Sequence, residues 1–336
     1  MGFDAAAPAV PRDRRRKRYR LRRLAPLWLA VVAAFAAGAW AGMPRHASAA
    51  APPTRTPTSL PSSPAVEPTV RPAVAVAPVT PVLHGPPLLA GELHDNLAAA
   101  AAVLVDADTG RVLWAKHAHE RRPVASTTKI MTALLALQVL RPDELVTVSP
   151  AATRVPLVRE GLRAGETVQT WKLFYALLLY SGNDDALELA IASAGTKDAF
   201  LRRMNAEAAS LGMEDTHFTS PSGVIDDGNY SSAWDLATLT RVALRNPRFA
   251  KVVRTKSIHV PWSAPTNEKV YINNNLMLRL YPGANGVKTG FTHLAGWCLV
   301  TSATRHGTTL IAVVLDSPNM YVDSTKLLNL VFASLR

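Results

Sequence analysis

The rhythm of apolar positions changes twice along this chain. Residues 24–43 run without a single charge, residues 44–87 scatter their apolar side chains among prolines, and from residue 88 onward apolar positions recur at regular spacing. Such spacing lets each element bury one face, so the folded part is expected over residues 88–336.

Within that part, residues 98–105 and 111–115 are apolar-rich runs on either side of Asp108, Thr109 and Gly110. Asp and Gly accept the backbone angles of a tight turn, so the runs predict a β-hairpin. A helix is predicted from Ser126, because Ile130, Met131, Leu134, Leu135 and Leu137 share one face at helical spacing. Residues 171–180, 184–194 and 198–211 predict three more helices. Ser232, Ala233, Trp234 and Asp235 form a capping-box variant opening another, which runs through Leu244 before Asn246 and Pro247 end it. Toward the C-terminus the period shortens. Residues 286–290, 296–304 and 308–316 predict strands, the last two joined by Arg305, His306 and Gly307, and residues 325–335 a closing helix. Strands at both ends with helices between them predict an α+β domain, one sheet flanked by a helical cluster.

Charge adds a compartment. The formal net charge of +12 divides as +8 over residues 1–50, +1 over residues 51–87 and +3 over the rest. The basic excess is thus an N-terminal arm, residues 1–23, and not a patch on the folded domain, which argues against nucleic acid as a partner. Nine Arg and Lys residues between Arg12 and Arg23 precede the uncharged segment 24–43. That segment is a transmembrane anchor or the apolar region of a signal peptide, with Ala47, Ser48 and Ala49 as a small-residue cleavage site. Either reading leaves the arm in the cytoplasm and exports the remainder, with membrane attachment through residues 24–43 if the segment is retained. Residues 44–87 hold 12 prolines and cannot build a core. As a linker they could reach on the order of 130 Å, at about 3.1 Å per residue.

The chemistry is carried by short motifs. Ser126, Thr127, Thr128 and Lys129 place a hydroxyl at a helix start and an amine one turn on, along the same face. A serine needs a base to become nucleophilic, and a lysine can be that base when burial or a second cation lowers its pKa. Alone the spacing is a weak signal and more often marks a capping serine beside a solvated lysine. Ser181, Gly182 and Asn183 fall in a break between two apolar helices, where a hydroxyl and an amide can face a cleft. Lys288, Thr289 and Gly290 end a predicted strand, where Lys and Thr suit a carboxylate and Gly allows close backbone approach. The Ser126 and Lys288 motifs each occur once in the chain.

This trio, with residues 105–110, 122–137, 230–236 and 286–299, resembles the D-alanyl-D-alanine carboxypeptidase family of low-molecular-mass penicillin-binding proteins across residues 98–335. The resemblance implies a penicillin-binding-protein/β-lactamase-like transpeptidase fold with an antiparallel sheet. It implies an acyl-enzyme on Ser126 with Lys129 as base, and a proton relay through Ser181 to the leaving amine. Asn183 would hold the substrate amide, Lys288 and Thr289 the terminal carboxylate, and the backbone N–H groups of Ser126 and Phe291 the oxyanion, beside Gly290. The implied substrates are peptidoglycan stem peptides ending in D-Ala-D-Ala, with β-lactams as acylating inhibitors and neither cofactor nor metal.

Related activities stay open at this level. A D,D-endopeptidase or transpeptidase would use the same motifs, and a non-catalytic cell-wall module could retain them. A β-lactamase of the class A type would add a Glu-x-x-Leu-Asn stretch, which is absent between Ser181 and Lys288. Met320 stands where relatives often carry an arginine that helps grip the carboxylate. Other residues read structurally: Asp184 and Asp185 as complements to a helix N-terminus, Cys298 as a small core residue, His117 and His119 as a strand end, Ser317 to Asn319 as a turn.

Overall fold

In the computed structural model, residues 83–89, 96–224 and 228–333 are described, all within Val66–Arg336, the second of two units into which the chain divides. The basic arm, the segment 24–43 and nearly all of the 44–87 linker lie outside the described residues.

A five-stranded antiparallel sheet forms the centre, in the order β2-β1-β9-β8-β7. Strands β1 (Ala101–Asp106) and β2 (Val112–Lys116) are the predicted hairpin, with Ala102 opposite Lys116. Three strands from the C-terminal third complete the sheet: β7 (Ala284–Thr292), β8 (Gly296–Arg305) and β9 (Thr308–Leu315). β1 pairs with β9 along its whole length, Ala101 opposite Leu315 through Asp106 opposite Leu310. Side chains alternate between the faces of a strand, and here both faces are covered. Ala101, Val103, Val105, Val300, Ile311 and Val313 face the larger core, whereas Ala102, Leu104, Leu299, Leu310, Ala312 and Val314 face the smaller one. Double burial explains why β1 and β9 read as continuous apolar runs.

The smaller core is closed by α7 (Met277–Leu280) and α8 (Met320–Phe332), through Met277, Leu327, Leu328 and Phe332. α8 starts five residues earlier than expected, because Asn319 N–H donates to Ser317 Oγ and Ser317 Oγ donates to Asp323 in a turn that launches the helix. The Asp323 carboxylate also accepts from the N–H groups of Ala98 and Ala99, tying α8 to the residues that lead into β1. The larger core lies under α1 (Lys129–Val139), α3 (Asn183–Ala194), α4 (Lys197–Ser210), α5 (Ala233–Arg245) and α6 (Pro247–Val253). The Ser232 side chain accepts from Asp235 N–H at 3.1 Å, which is the cap expected for α5.

Other features also differ from the sequence reading. Residues 171–180 do not form one helix: α2 (Thr170–Tyr175) is α-helical and Ala176–Tyr180 widens into a π-turn. The extra residue of a π-turn resets the exit direction, and these insertions favour functional sites. Two small hairpins, β3 (Leu145–Thr147) with β4 (Thr167–Gln169) and β5 (Ser257–Pro261) with β6 (Glu268–Ile272), were not anticipated. Their outward positions are exposed and the strands are short, so no long apolar alternation marks them.

Candidate active site

Ser126 does not open an α-helix. It lies in a 3-10 turn, Ala125–Thr128, that feeds directly into α1. Residues three apart eclipse one another in that geometry, so Ser126 and Lys129 stack more directly than in an α-helix. Lys129 Nζ accordingly lies 2.8 Å from Ser126 Oγ, within hydrogen-bonding distance. The amine donates to Asn183 Oδ1 at 2.9 Å and to the Ser222 carbonyl at 3.0 Å.

The second motif follows the π-turn. Ser181 adopts a left-handed conformation, φ 76 and ψ 33, which reverses the chain before α3 begins at Asn183. A residue other than glycine pays about 1–2 kcal/mol to stay in that region and does so only where its surroundings hold it. Here Lys288 Nζ donates to Ser181 Oγ at 3.0 Å. Asn183 N–H donates to the Val158 carbonyl at 2.8 Å, and its side-chain Nδ2 to the Pro156 carbonyl at 3.2 Å. Asp184 Oδ atoms accept from the N–H groups of Glu160, Gly161 and Leu162, at 2.9, 2.8 and 3.1 Å. Asp184 was expected to serve its own helix start; the structure places it chiefly as the acceptor for that neighbouring loop.

The third motif is on β7, at the sheet edge facing the Ser126 turn. A Cβ at Gly290 would lie 3.0 Å from the Val124 carbonyl and 3.1 Å from Ser126 N, so glycine lets strand and turn meet. Lys288 points inward, donating to Ser181 and, at 3.0 Å, to the Thr289 carbonyl.

Together these elements form a cleft of 380 Å³ lined by Ser126, Ser181, Thr289, Gly290, Phe291, Tyr180 and Met320, among others. Lys129, Asn183 and Lys288 are fully buried behind it. One wall is aromatic: the Phe291 and Trp297 rings are 4.2 Å apart and both are substantially exposed. Met320 faces this cleft from the first residue of α8, so the position expected to differ from relatives does border the site.

The electrostatics follow from two buried ammonium groups sharing one wall. Burial, and then the Lys288 charge, push the Lys129 pKa well below its ordinary value, against a smaller opposing pull from Asp185 and Asp184. Burial alone lowers Lys288 to about 7. For Lys129 both effects favour the neutral amine, the form in which a lysine is able to accept a hydroxyl proton.

Of the residues singled out from sequence, Ser126, Lys129, Ser181, Asn183, Lys288, Thr289, Gly290 and Phe291 converge here. The Ser222 carbonyl was missed, since a backbone acceptor leaves no trace in a sequence pattern. Cys298 is buried, with its thiol pushed up to about 11 by burial. His119 lies against Trp234 and 3.3 Å from Asp215, away from the cleft.

Comparison with known proteins agrees with this geometry. The D-alanyl-D-alanine carboxypeptidase family model matches residues 90–319. A Bacillus subtilis D-alanyl-D-alanine carboxypeptidase, DacF, is 34% identical over 65% of this chain, and the match spans 57% of that protein. An Escherichia coli D-alanyl-D-alanine endopeptidase is 32% identical, over 67% of this chain and 74% of its own length. The crystal structure of the Streptomyces K15 DD-transpeptidase superposes with a TM-score of 0.68 at 36% identity, covering 70% of this chain and 98% of that one. The expected transpeptidase fold is thereby established, and the chain belongs to the D-alanyl-D-alanine carboxypeptidase family of serine peptidases, extracytoplasmic enzymes of the cell wall.

Proposed function

We propose that this protein removes the terminal D-alanine from peptidoglycan stem pentapeptides through an acyl-enzyme on Ser126. The observation that carries the reading is the 2.8 Å contact between Ser126 Oγ and a buried, neutral-leaning Lys129 amine. In the first step Lys129 Nζ takes the hydroxyl proton as Ser126 Oγ bonds to the carbonyl carbon of the penultimate D-alanine. Negative charge moves onto the carbonyl oxygen, which the N–H groups of Ser126 and Phe291 receive. As the C–N bond breaks, the proton returns through Ser181 to the leaving nitrogen, releasing D-alanine and an ester on Ser126. Water then cleaves the ester by the same route. Thr289, on the cleft wall, and Lys288, beneath it, hold the terminal carboxylate, while Asn183 steadies the acyl amide and Lys129.

The reading extends to β-lactams, whose amide resembles the scissile bond. They acylate Ser126 and deacylate slowly, because no glutamate of the class A type is present to activate water. A labelled penicillin is expected to remain on the wild-type chain and not on Ser126→Ala; equal labelling of both would show that another nucleophile is used.

A cross-linked substrate is the second reading, favoured by the E. coli endopeptidase among the relatives. Incubation with a pentapeptide stem and with a cross-linked dimer, followed by mass analysis, separates the two. Free D-alanine from the pentapeptide alone supports the carboxypeptidase; cleaved dimer alone supports the endopeptidase. For the N-terminus we infer a retained anchor at residues 24–43, with residues 44–87 as spacer and residues 88–336 as the D,D-peptidase domain. No helix among the described residues is long and apolar enough to cross a membrane. A mature protein beginning at Ala50 would overturn the anchor.

A further inference from the structure

The Ser181-Gly182-Asn183 turn rests on a second group of buried ionisable side chains that the reaction above does not use. Asp185, in the first turn of α3, is completely buried, and neither carboxyl oxygen meets an N–H or hydroxyl group. Glu160, on the loop before Leu162, is also buried: its Oε1 accepts from Lys269 Nζ and Tyr271 Oη of β6, while Oε2 has no such donor. Glu160 N–H is bonded to Asp184 Oδ1, which sets the loop carrying Glu160 against the start of α3, and Glu160 is the charged group that acts most strongly on Asp185. Two ionised carboxylates in that position would repel with no water to screen them, whereas one proton between them turns the repulsion into a hydrogen bond.

The pair has a definite place. A Cβ on Gly182 would lie 1.9 Å from Asp185 Oδ2, so this carboxyl packs directly against the α-carbon between Ser181 and Asn183. Glycine is required there because the acid occupies the space. The same turn holds Ser181 in its left-handed conformation and aims Asn183 Oδ1 at Lys129.

We propose that Asp185 keeps its proton in the working enzyme and donates it to Glu160, and that this carboxyl pair braces the Ser181-Gly182-Asn183 turn in register with Lys129 and Lys288. Glu160 is the acceptor because Lys269 and Tyr271 already donate to its other oxygen, which leaves Oε2 open. The groups acting on Asp185 agree. Burial, then Glu160 from the loop, then Asp184 from α3 raise its pKa, and only Lys269 from β6 opposes them; Lys129 of α1 is across the turn, and Tyr271 is held up by burial and Glu160. Asp185 touches neither substrate nor the Ser126 hydroxyl, so it is a positioning residue.

The sign of its pH linkage distinguishes this state from an ordinary buried ion. An unfolded Asp titrates near 4. With a folded pKa above that value the native state holds the extra proton, so this group's stability contribution is full below about pH 4 and is lost as pH rises. Asp185→Asn keeps a donor toward Glu160 but cannot ionise. Its thermal stability relative to wild type is therefore expected to improve steadily as pH is raised from 4 toward 9. The infrared C=O band of a protonated carboxylic acid, present in wild type at neutral pH, is expected to vanish in Asp185→Asn and to persist at a shifted frequency in Glu160→Gln, where burial still protonates Asp185 but its acceptor has changed. β-Lactam acylation should stay within about threefold of wild type in Asp185→Asn and fall roughly ten- to a hundredfold in Asp185→Ala, which loses the brace. The kinetic arm rests on the acylation reading of Ser126, whereas the infrared and thermal arms stand without it. A stability difference that moves against Asp185→Asn with rising pH, an acid band unchanged in that variant, or wild-type acylation by a folded Asp185→Ala would each overturn the proposal. Should Asp185→Ala not fold, the infrared and thermal comparisons with Asp185→Asn still decide it.

Discussion

Two crowded groups of like charge flank one turn, and they relieve the crowding in opposite directions. On the cleft side, Lys129 and Lys288 are buried together, and the first is pushed toward its neutral form. On the far side, Glu160, Asp184 and Asp185 are buried together, and Asp185 holds on to its own. Their partners differ as well. The lysines meet side-chain hydroxyls, an amide and carbonyls, groups a substrate can rearrange. The carboxyls meet backbone N–H groups, a lysine and a tyrosine, which fix the loop and the β5–β6 hairpin. The lesson is that burial sets how far a pKa moves, but the nature of the partners decides whether the shifted group reacts or supports.

The sharpest way to break the lysine side is Lys129→Arg, which preserves charge and approximate length but cannot lose its proton. Stopped-flow acylation should slow by about 10² to 10⁴ in a folded variant. Near wild-type acylation would move the base elsewhere. On the carboxyl side, Asp184→Ala strands three N–H groups, and denaturant unfolding should report a loss of roughly 3 kcal/mol. A loss below about 1 kcal/mol would mean that the loop finds other acceptors.

Lys288→Met tests the cost of burying a cation for function. Between about pH 7 and the ordinary lysine value the unfolded state carries the extra proton, so the wild-type penalty is full below about 7 and fades as pH rises through that window. The variant should be more stable by roughly 1 to 3 kcal/mol at neutral pH, with turnover lost. The gain should disappear at alkaline pH, a trend that thermal melts across pH can check. For the wild type, acylation should climb as Lys129 deprotonates and decline above about 7 as Lys288 loses charge, with apparent values that belong to the coupled pair. The smallest effect is the exposed control: the His259–Glu268 pair on the outer hairpin is open to water, and Glu268→Gln should change stability by less than about 0.5 kcal/mol.

What could be read from the chain depended on distance along it. Ser126 and Lys129 are three residues apart, so their contact follows from helical geometry, although the tighter 3-10 turn does not. The strands β1, β8 and β9 announced themselves through apolar runs set by double burial. Glu160 could not be found in this way, because its partners Lys269 and Tyr271 are 109 and 111 residues away and none of the three belongs to a local motif. Asp185 had a sequence signal that pointed elsewhere. An acid in the first turn of a helix is ordinarily there for the helix dipole, and only the Gly182 contact and the unpaired carboxyl oxygens show the other role.

The pairing of β1 with β9 bears on when the molecule can come into being. Some 200 residues separate the two strands, and Asp323 clasps the N–H groups of Ala98 and Ala99 across separations of 225 and 224 residues. A chain delivered from its N-terminus, by a ribosome or through a translocation pore, holds β1 without a partner strand on that side until almost the whole domain has emerged. Contact order of this kind slows folding and prolongs exposure of an apolar strand edge. The β2-β1 hairpin is thus the segment for which a holdase would have most use during delivery.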